Sequence, residues 1–101
     1  MAEDLGAFIT MPGVVFVDVR TPEEFSEGAV DGSINLPVDQ LAPDLEGLPA
    51  DKSTPIITFC AHGRRGGIAA DFFKAQGYTT VINGVAWHSV KAAVADYHSS
   101  K

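Results

Sequence analysis

The sequence predicts an α/β fold built on a mostly parallel sheet of four or five strands, with helices on both faces. Apolar, β-branched runs typical of buried strands alternate along the chain with segments of helical periodicity. Such alternation favours parallel strand pairing through right-handed crossovers. The chain has 101 residues, 46% of them hydrophobic. This length and composition suit one core, so we expect a single domain over residues 1–101.

The first half of the chain predicts two strands and one helix. "VVFVDV", Val14–Val19, is typical of a buried strand. Thr21 is a suitable N-cap because proline and acidic residues follow it, and Gly28 ends the helix that begins there. "SINLP", residues 33–37, predicts a short strand that its proline ends. Residues 38–50 contain two further prolines, which predicts a broken helix and a loop.

The second half predicts a strand, a helix, a strand and a helix. "PIITFC", residues 55–60, is the clearest strand of the sequence. Residues 64–78 have apolar residues at helical spacing, and Gly77 is the predicted C-cap. "TTVIN", residues 79–83, predicts the next strand. Residues 86–97 then place four apolar residues on one face of a closing helix.

The loop "TFCAHGRRGG", residues 58–67, contains the only cysteine of the chain. Cys60 lies between a predicted strand and a predicted helix, at the edge of the sheet where α/β proteins place their sites. Glycine-rich backbone that leads into a helix presents N–H groups and the positive end of the helix dipole. With Arg64, Arg65 and His62 nearby, we expect a lowered pKa for the Cys60 thiol. The combination predicts a thiolate nucleophile in an anion-binding loop.

Composition excludes several classes of function. A net charge of -6 argues against a nucleic-acid surface, and no apolar run is long enough for a membrane span. One cysteine forms no intramolecular disulfide, and three histidines without ligand spacing predict no metal site. No leader pattern is present, so we expect a cytoplasmic protein, with the mature form of an exported protein as the alternative. We also expect a monomer.

Three motifs resemble the signatures of the rhodanese family of thiosulfate sulfurtransferases. "CAHGRR", residues 60–65, resembles their Cys-x-x-Gly-x-Arg loop. "VDVRTPEEFSEGAVDGSINLP", residues 17–37, resembles their N-terminal signature, and "VINGVAWHSV", residues 81–90, their closing motif. The resemblance implies a three-layer rhodanese-like fold of the single-domain type. It also implies structural roles for Asp18, Arg20, Gly84 and Trp87.

The resemblance implies a mechanism as well. The Cys60 thiolate would take the outer sulfur of thiosulfate, or of another small anionic sulfur donor. A thiol, cyanide or a sulfur-accepting protein would then receive that sulfur from the Cys60 persulfide, without a metal or an organic cofactor. The loop residues that would bind the anionic groups are Ala61, His62, Gly63, Arg64, Arg65 and Gly66.

The chain departs from the family pattern at four places. Ala29 stands where histidine is frequent and Asn83 where a second glycine is frequent; we expect both to be scaffold positions with little effect on activity. Gly66 and Gly67 follow Arg65, where a hydroxyl residue is frequent, which predicts weaker helix initiation. The family's first strand should precede "AEDLGAF", where this sequence has Met1 and Ala2. The sheet would then lack that edge strand, unless the sequence is truncated.

Two alternative functions remain open from the residues. Related folds of phosphatases and arsenate reductases enclose five residues between cysteine and arginine, whereas Cys60 and Arg65 enclose four. A tighter loop suits a sulfur atom better than a whole phosphate. Non-catalytic rhodanese-fold modules commonly lack the cysteine, and Cys60 argues against that class. For Asp18 and Arg20, the cost of burying charges favours a structural ion pair over catalysis.

Overall fold

Four parallel strands joined by helical crossovers form the sheet. A computed structural model describes residues 5–61 and 63–99 of the chain. Its helices and strands, in chain order, are α1 Leu5–Ile9, β1 Val15–Asp18, α2 Pro22–Glu27, β2 Ile34–Asn35, β3 Ile56–Cys60, α3 Arg64–Ala75, β4 Val81–Ala86 and α4 Trp87–Ser99. A short 3₁₀ turn, Val38–Gln40, separates β2 from β3.

The strand order is β2-β1-β3-β4, and every neighbouring pair is parallel. The predicted α/β class with a mostly parallel sheet is therefore confirmed. Because β3 lies between β1 and β4, all five of its residues are buried. Side chains alternate between the two faces of a strand, so Ile57 and Phe59 point to one layer while Cys60 points to the other.

Helices cover both faces of the sheet and complete three layers. On one face Ala69 and Phe73 of α3 pack in the same buried cluster as Cys60. On the other face Ile9 of α1 and Val90 of α4 pack with Ile57 and Phe59 of β3. Cys60 thus lies on the α3 side, at the end of the central strand from which α3 starts. Within the ranges that the structure describes, no helix combines the length and apolarity needed to cross a membrane.

Three segments differ from the sequence-based prediction. Helix α1 was not predicted, and no strand precedes β1 in the residues that the structure describes. Of the broken helix predicted over residues 38–50, the structure shows the short 3₁₀ turn followed by bends and turns. Strand β4 runs to Ala86 instead of ending at residue 83, because a register shift opposite Thr58 and Phe59 inserts one extra residue. Gly84 is the extra residue of this β-bulge.

Candidate active site

Cys60 is the last residue of β3 and begins the loop to α3. The residue is 1% exposed, yet it lines an open pocket together with Arg64, Arg65 and Ile68. This position at the carboxyl edge of a parallel sheet follows from the topology, since each crossover leaves the sheet at that edge. Cys60 therefore borders the pocket, while most of its surface is enclosed by the core.

Two backbone N–H groups point at the sulfur of Cys60. The N–H of Gly63 donates to Sγ at 3.0 Å, and the N–H of Gly66 donates at 3.4 Å. Gly63 precedes the first residue of α3 and has φ 95, a left-handed conformation that glycine adopts without a steric penalty. Donors at the start of a helix stabilise negative charge, so the loop favours an anionic sulfur over a neutral one.

Arg65 and Arg64 differ in what they contact. Arg65 Nη1 lies 2.8 Å from Glu24 Oε1 of α2, and its Nη2 lies 3.3 Å from Oε2. The hydrogen bond that Arg65 donates to Glu24 raises the pKa of Arg65, with a smaller contribution from Cys60. The Arg65 guanidinium, followed by the Thr21 N–H, lowers the pKa of Glu24 to about 2. Arg65 is thus a charge that Glu24 already compensates.

Arg64 is exposed and lines the pocket beside Cys60. It forms no ion pair with another residue in the described part of the chain. Adjacent residues at a helix start point in different directions, which places Arg64 outward and Arg65 toward α2. Of the two arginines, Arg64 is therefore the one that can turn toward an anion at low cost.

The remaining predicted loop residues have different outcomes. Ala61 is half-buried directly after Cys60, whereas His62 lies outside the described residues. Gly66 is buried in the first turn of α3, and its carbonyl accepts a hydrogen bond from the hydroxyl of Thr58 at 2.7 Å. Helix α3 begins at Arg64, so Gly66 and Gly67 lie in its first turn, and weaker helix initiation there stays a prediction.

Asp18 and Arg20 form a buried ion pair at the end of β1. Arg20 Nη2 lies 2.7 Å from Asp18 Oδ2 and 2.6 Å from the carbonyl oxygen of Gly28. The guanidinium carbon also lies 4.6 Å from the ring centroid of Trp87. Burial among these partners keeps both charges away from the pocket, so they connect β1, α2 and α4 rather than contacting a substrate.

Gly84 is required by close packing rather than by a turn. A β-carbon at this position would lie 2.8 Å from a methyl of Val90 and 2.9 Å from a methyl of Ile57. The residue that follows it, Val85, has φ 74, which is unusual for a β-branched side chain. Val85 is 47% exposed and lies against Gly63, so the strained end of the bulge borders the cysteine loop.

Sequence reasoning missed a contact between Asn83 and the cysteine loop. Asn83 was expected to be a scaffold position away from that loop. Its Nδ2 donates to the carbonyl oxygen of Gly63 at 3.1 Å, and its Oδ1 accepts from the Val85 N–H at 2.9 Å. The register of β3 and β4 places Asn83 opposite Thr58, and this pairing was not predictable from the local sequence.

Comparisons with known proteins agree with this arrangement. The model of the rhodanese-like domain matches residues 1–84. The thiosulfate sulfurtransferase PspE of Escherichia coli is 32% identical over 68 residues, which are 67% of this chain and 65% of PspE. The chain thus spans slightly less than two thirds of that relative. The thiosulfate sulfurtransferase GlpE of Shewanella oneidensis is 34% identical over 83 residues, covering 78% of this chain and 80% of GlpE.

A solved structure shares the fold as well. A rhodanese with anions from E. coli superimposes with a TM-score of 0.69 at 29% identity, over 75% of this chain and 89% of the other. The N-terminal motif, strands β1 to β3 and the cysteine loop before α3 lie within the matched region, and the closing motif begins at its end. The chain therefore belongs to the rhodanese-like domain family.

Proposed function

We propose that the protein transfers sulfane sulfur from thiosulfate, or from a persulfide donor, to a thiol or cyanide through a persulfide on Cys60. The observation that carries this proposal is the convergence of the Gly63 and Gly66 N–H groups on Sγ at a pocket lined by two arginines. These groups favour a thiolate and an anionic substrate together. The names of PspE and GlpE, both thiosulfate sulfurtransferases, support the same reaction class.

The reaction proceeds in two displacements on sulfur. The Cys60 thiolate attacks the outer sulfur of thiosulfate, a new S–S bond forms, and the bond to the sulfonate sulfur breaks. Sulfite leaves with that electron pair, and a persulfide anion remains on Cys60. An acceptor thiolate or cyanide then attacks the terminal sulfur and restores the thiolate. No external oxidant or reductant enters this sequence, and it calls for no bound cofactor.

The residues of the loop have distinct tasks in this proposal. The Gly63 and Gly66 N–H groups stabilise the negative sulfur before and after the first displacement. Arg64 attracts the sulfonate and offsets the charge of the departing sulfite. The narrow loop, four residues between Cys60 and Arg65, favours a single sulfur atom over a tetrahedral phosphate or arsenate. A purely structural module would have no use for a sulfur atom held by aligned donors.

The test is the mass of the intact protein after incubation with thiosulfate. We expect a gain of about 32 Da, one sulfur atom, that cyanide removes and that Cys60→Ser never acquires. Thermal unfolding of Cys60→Ser serves as the control for folding. Sulfur transfer that persists in this variant would overturn the assignment of Cys60. No mass gain in the folded wild type with thiosulfate or a low-molecular-weight persulfide would reject the proposed activity.

A further inference from the structure

Asn83 contacts both of the residues whose N–H groups hold the sulfur of Cys60. Its carboxamide nitrogen donates to the carbonyl of Gly63 at 3.1 Å. Its carboxamide oxygen lies 2.6 Å from the place where a β-carbon on Gly66 would be. A real β-carbon does not approach an oxygen this closely, so Asn83 occupies the space that a side chain at position 66 would need.

The carboxamide is fixed at both ends. The Asn83 oxygen accepts from the N–H of Val85 at 2.9 Å, and Val85 in turn packs against Gly63. A β-carbon on Gly63 would lie 2.7 Å from Cγ1 of Val85. The Asn83 side chain thus binds the carbonyl of Gly63 directly. It also fixes Val85, which packs against the α-carbon of Gly63. The bulge at Gly84 places Val85 opposite Phe59, and Val85 is the residue that packs against Gly63.

We propose that Asn83 is a positioning residue that sets the two N–H donors of the Cys60 loop, and that Gly66 lacks a side chain because Asn83 fills its place. The two departures from the family pattern noted above, Asn83 and Gly66, are then one coupled change. This inference rests on the proposed function, in which the Cys60 sulfur is the reacting atom. Asn83 itself touches neither the sulfur nor a substrate in this arrangement; it acts through the backbone of Gly63 and Gly66.

The experiment is a double-mutant cycle with Gly66→Ala, Asn83→Ala and the two combined. Each variant is characterised by thermal unfolding and by the ionisation of its single thiol, followed as thiolate absorbance against a Cys60→Ser baseline. The charged groups of the described structure near the sulfur are Arg64, Arg65 and, through Arg65, Glu24. None of them is changed, so a change in thiol ionisation reports on the loop donors.

We expect Asn83→Ala to reduce the ionisation constant of the thiol about three- to tenfold, as for the loss of one hydrogen bond to the loop. Gly66→Ala should lower the unfolding temperature and the thiol ionisation, because its methyl collides with Asn83. The combined variant should recover part of both losses relative to Gly66→Ala. Recovery stays partial, since a β-carbon at position 66 would still lie 3.1 Å from the Cα of Phe59.

Gly67→Ala is the matched control one residue away. A β-carbon on Gly67 would lie 3.4 Å from Asn83 Nδ2, an ordinary contact, so this variant should keep both the stability and the thiol ionisation of the wild type. Additive losses, with the combined variant worse than Gly66→Ala, would overturn the proposed coupling. Gly66→Ala alone fails to fold only if the steric conflict with Asn83 is severe. In that case, a cooperative unfolding transition regained in the combined variant supports the coupling of Asn83 and Gly66, and its absence refutes that coupling.

Thiol ionisation and unfolding do not require sulfur transfer, so this test and that of the proposed function fail separately. A wild type that never acquires sulfur would reject the activity and leave the positioning result standing. Where transfer is active, steady-state rates add a second criterion. Asn83→Ala should lower kcat more than it changes KM for thiosulfate, because Arg64 still attracts the donor. A change confined to KM would contradict a positioning role.

Discussion

The guanidinium of Arg65 is held by the carboxylate of Glu24, 41 residues earlier in the chain, with Nη1 and Oε1 2.8 Å apart. Glu24, the third residue of α2, also accepts from the backbone N–H of Thr21 at 3.0 Å and completes a capping box at the start of this helix. The arginine that matches the family motif is therefore shared between the thiol and a carboxylate. An anionic donor that uses Arg65 must compete with Glu24.

We expect Glu24→Gln to lower KM for thiosulfate a few-fold at low salt, since Gln keeps the cap acceptor and releases the charge of Arg65. The measurement is steady-state sulfur transfer at several thiosulfate concentrations. Glu23→Gln, an exposed neighbour in the same helix turn, is the control and should change KM little. A KM that rises in Glu24→Gln alone would show that the ion pair assists donor binding instead of opposing it.

The same pair predicts a pH dependence of stability. The folded pKa of Glu24, about 2, lies below its ordinary value of 4.5, so the pair stabilises fully above about pH 4.5 and loses its contribution as the pH falls toward 2. Because both side chains are about one third exposed, solvent screening limits the contribution to about 1 kcal/mol or less. Urea unfolding of the wild type and Glu24→Gln should differ at pH 7 and converge at low pH. If the difference in unfolding free energy between the two proteins stays constant from pH 7 to low pH, the Glu24–Arg65 pair is not its source.

Arg64→Ala should raise KM for thiosulfate several-fold, because the exposed guanidinium at the pocket is lost. The increase should shrink at high salt, as expected for attraction between solvent-exposed charges. Lys74→Ala, an exposed cation in the last turn of the same helix, is the matched control. Equal effects of the two substitutions would mean that only the net charge of the protein matters.

Arg20→Met should destabilise the fold by about 3–5 kcal/mol, because it leaves the Asp18 carboxylate buried without its cation. The measurement is the free energy of urea unfolding. The double variant Asp18→Leu/Arg20→Met should be less destabilised than Arg20→Met, since neither charge remains buried. If the free energy of unfolding of Arg20→Met equals that of the wild type, the Asp18–Arg20 ion pair does not stabilise the fold.

Gly84→Ala should cost about 1–3 kcal/mol, because its methyl would collide with Val90 and Ile57 in a closed core. Gly67→Ala, in a helix with room for a methyl, should be neutral or slightly stabilising by comparison. Thermal unfolding of the two variants side by side measures the difference. Equal unfolding temperatures would mean that β4 and α4 can move apart at no cost.

The sequence predicted those elements that depend on the burial and periodicity of residues within a single segment. Strands β1 and β3 are buried apolar runs, and α3 begins at Arg64 and ends just before Gly77, as its apolar periodicity indicated. The extent of β4 was wrong because Asn-Gly favours a turn, while pairing with β3 across a bulge extends the strand. Helix α1 has only five residues, too few for a stable isolated helix. Its formation therefore depends on packing against α4, which its own sequence does not reveal.

For the site as for the fold, the local features were predictable from the sequence and the long-range contacts were not. The position of Cys60 at a strand end before a glycine-rich helix start is a local feature, and so is the approach of backbone N–H groups. The contacts of Glu24 with Arg65 and of Asn83 with Gly63 join residues 41 and 20 positions apart. Such contacts depend on the order and register of the strands, which a pattern within one segment does not encode.

The central place of β3 has a consequence for how the protein acquires its reactive thiol. Strand β3 pairs with β1 and with β4, and both partners are distant in sequence, so the sheet closes only through nonlocal contacts that form slowly. Until β4 pairs with β3, Asn83 is not opposite Thr58. The N–H groups of Gly63 and Gly66 are then not yet held in position against the Cys60 sulfur. During folding Cys60 is then an ordinary thiol, open to oxidation and to mixed disulfides. Refolding under reductant should therefore give a higher yield of active protein than refolding without it.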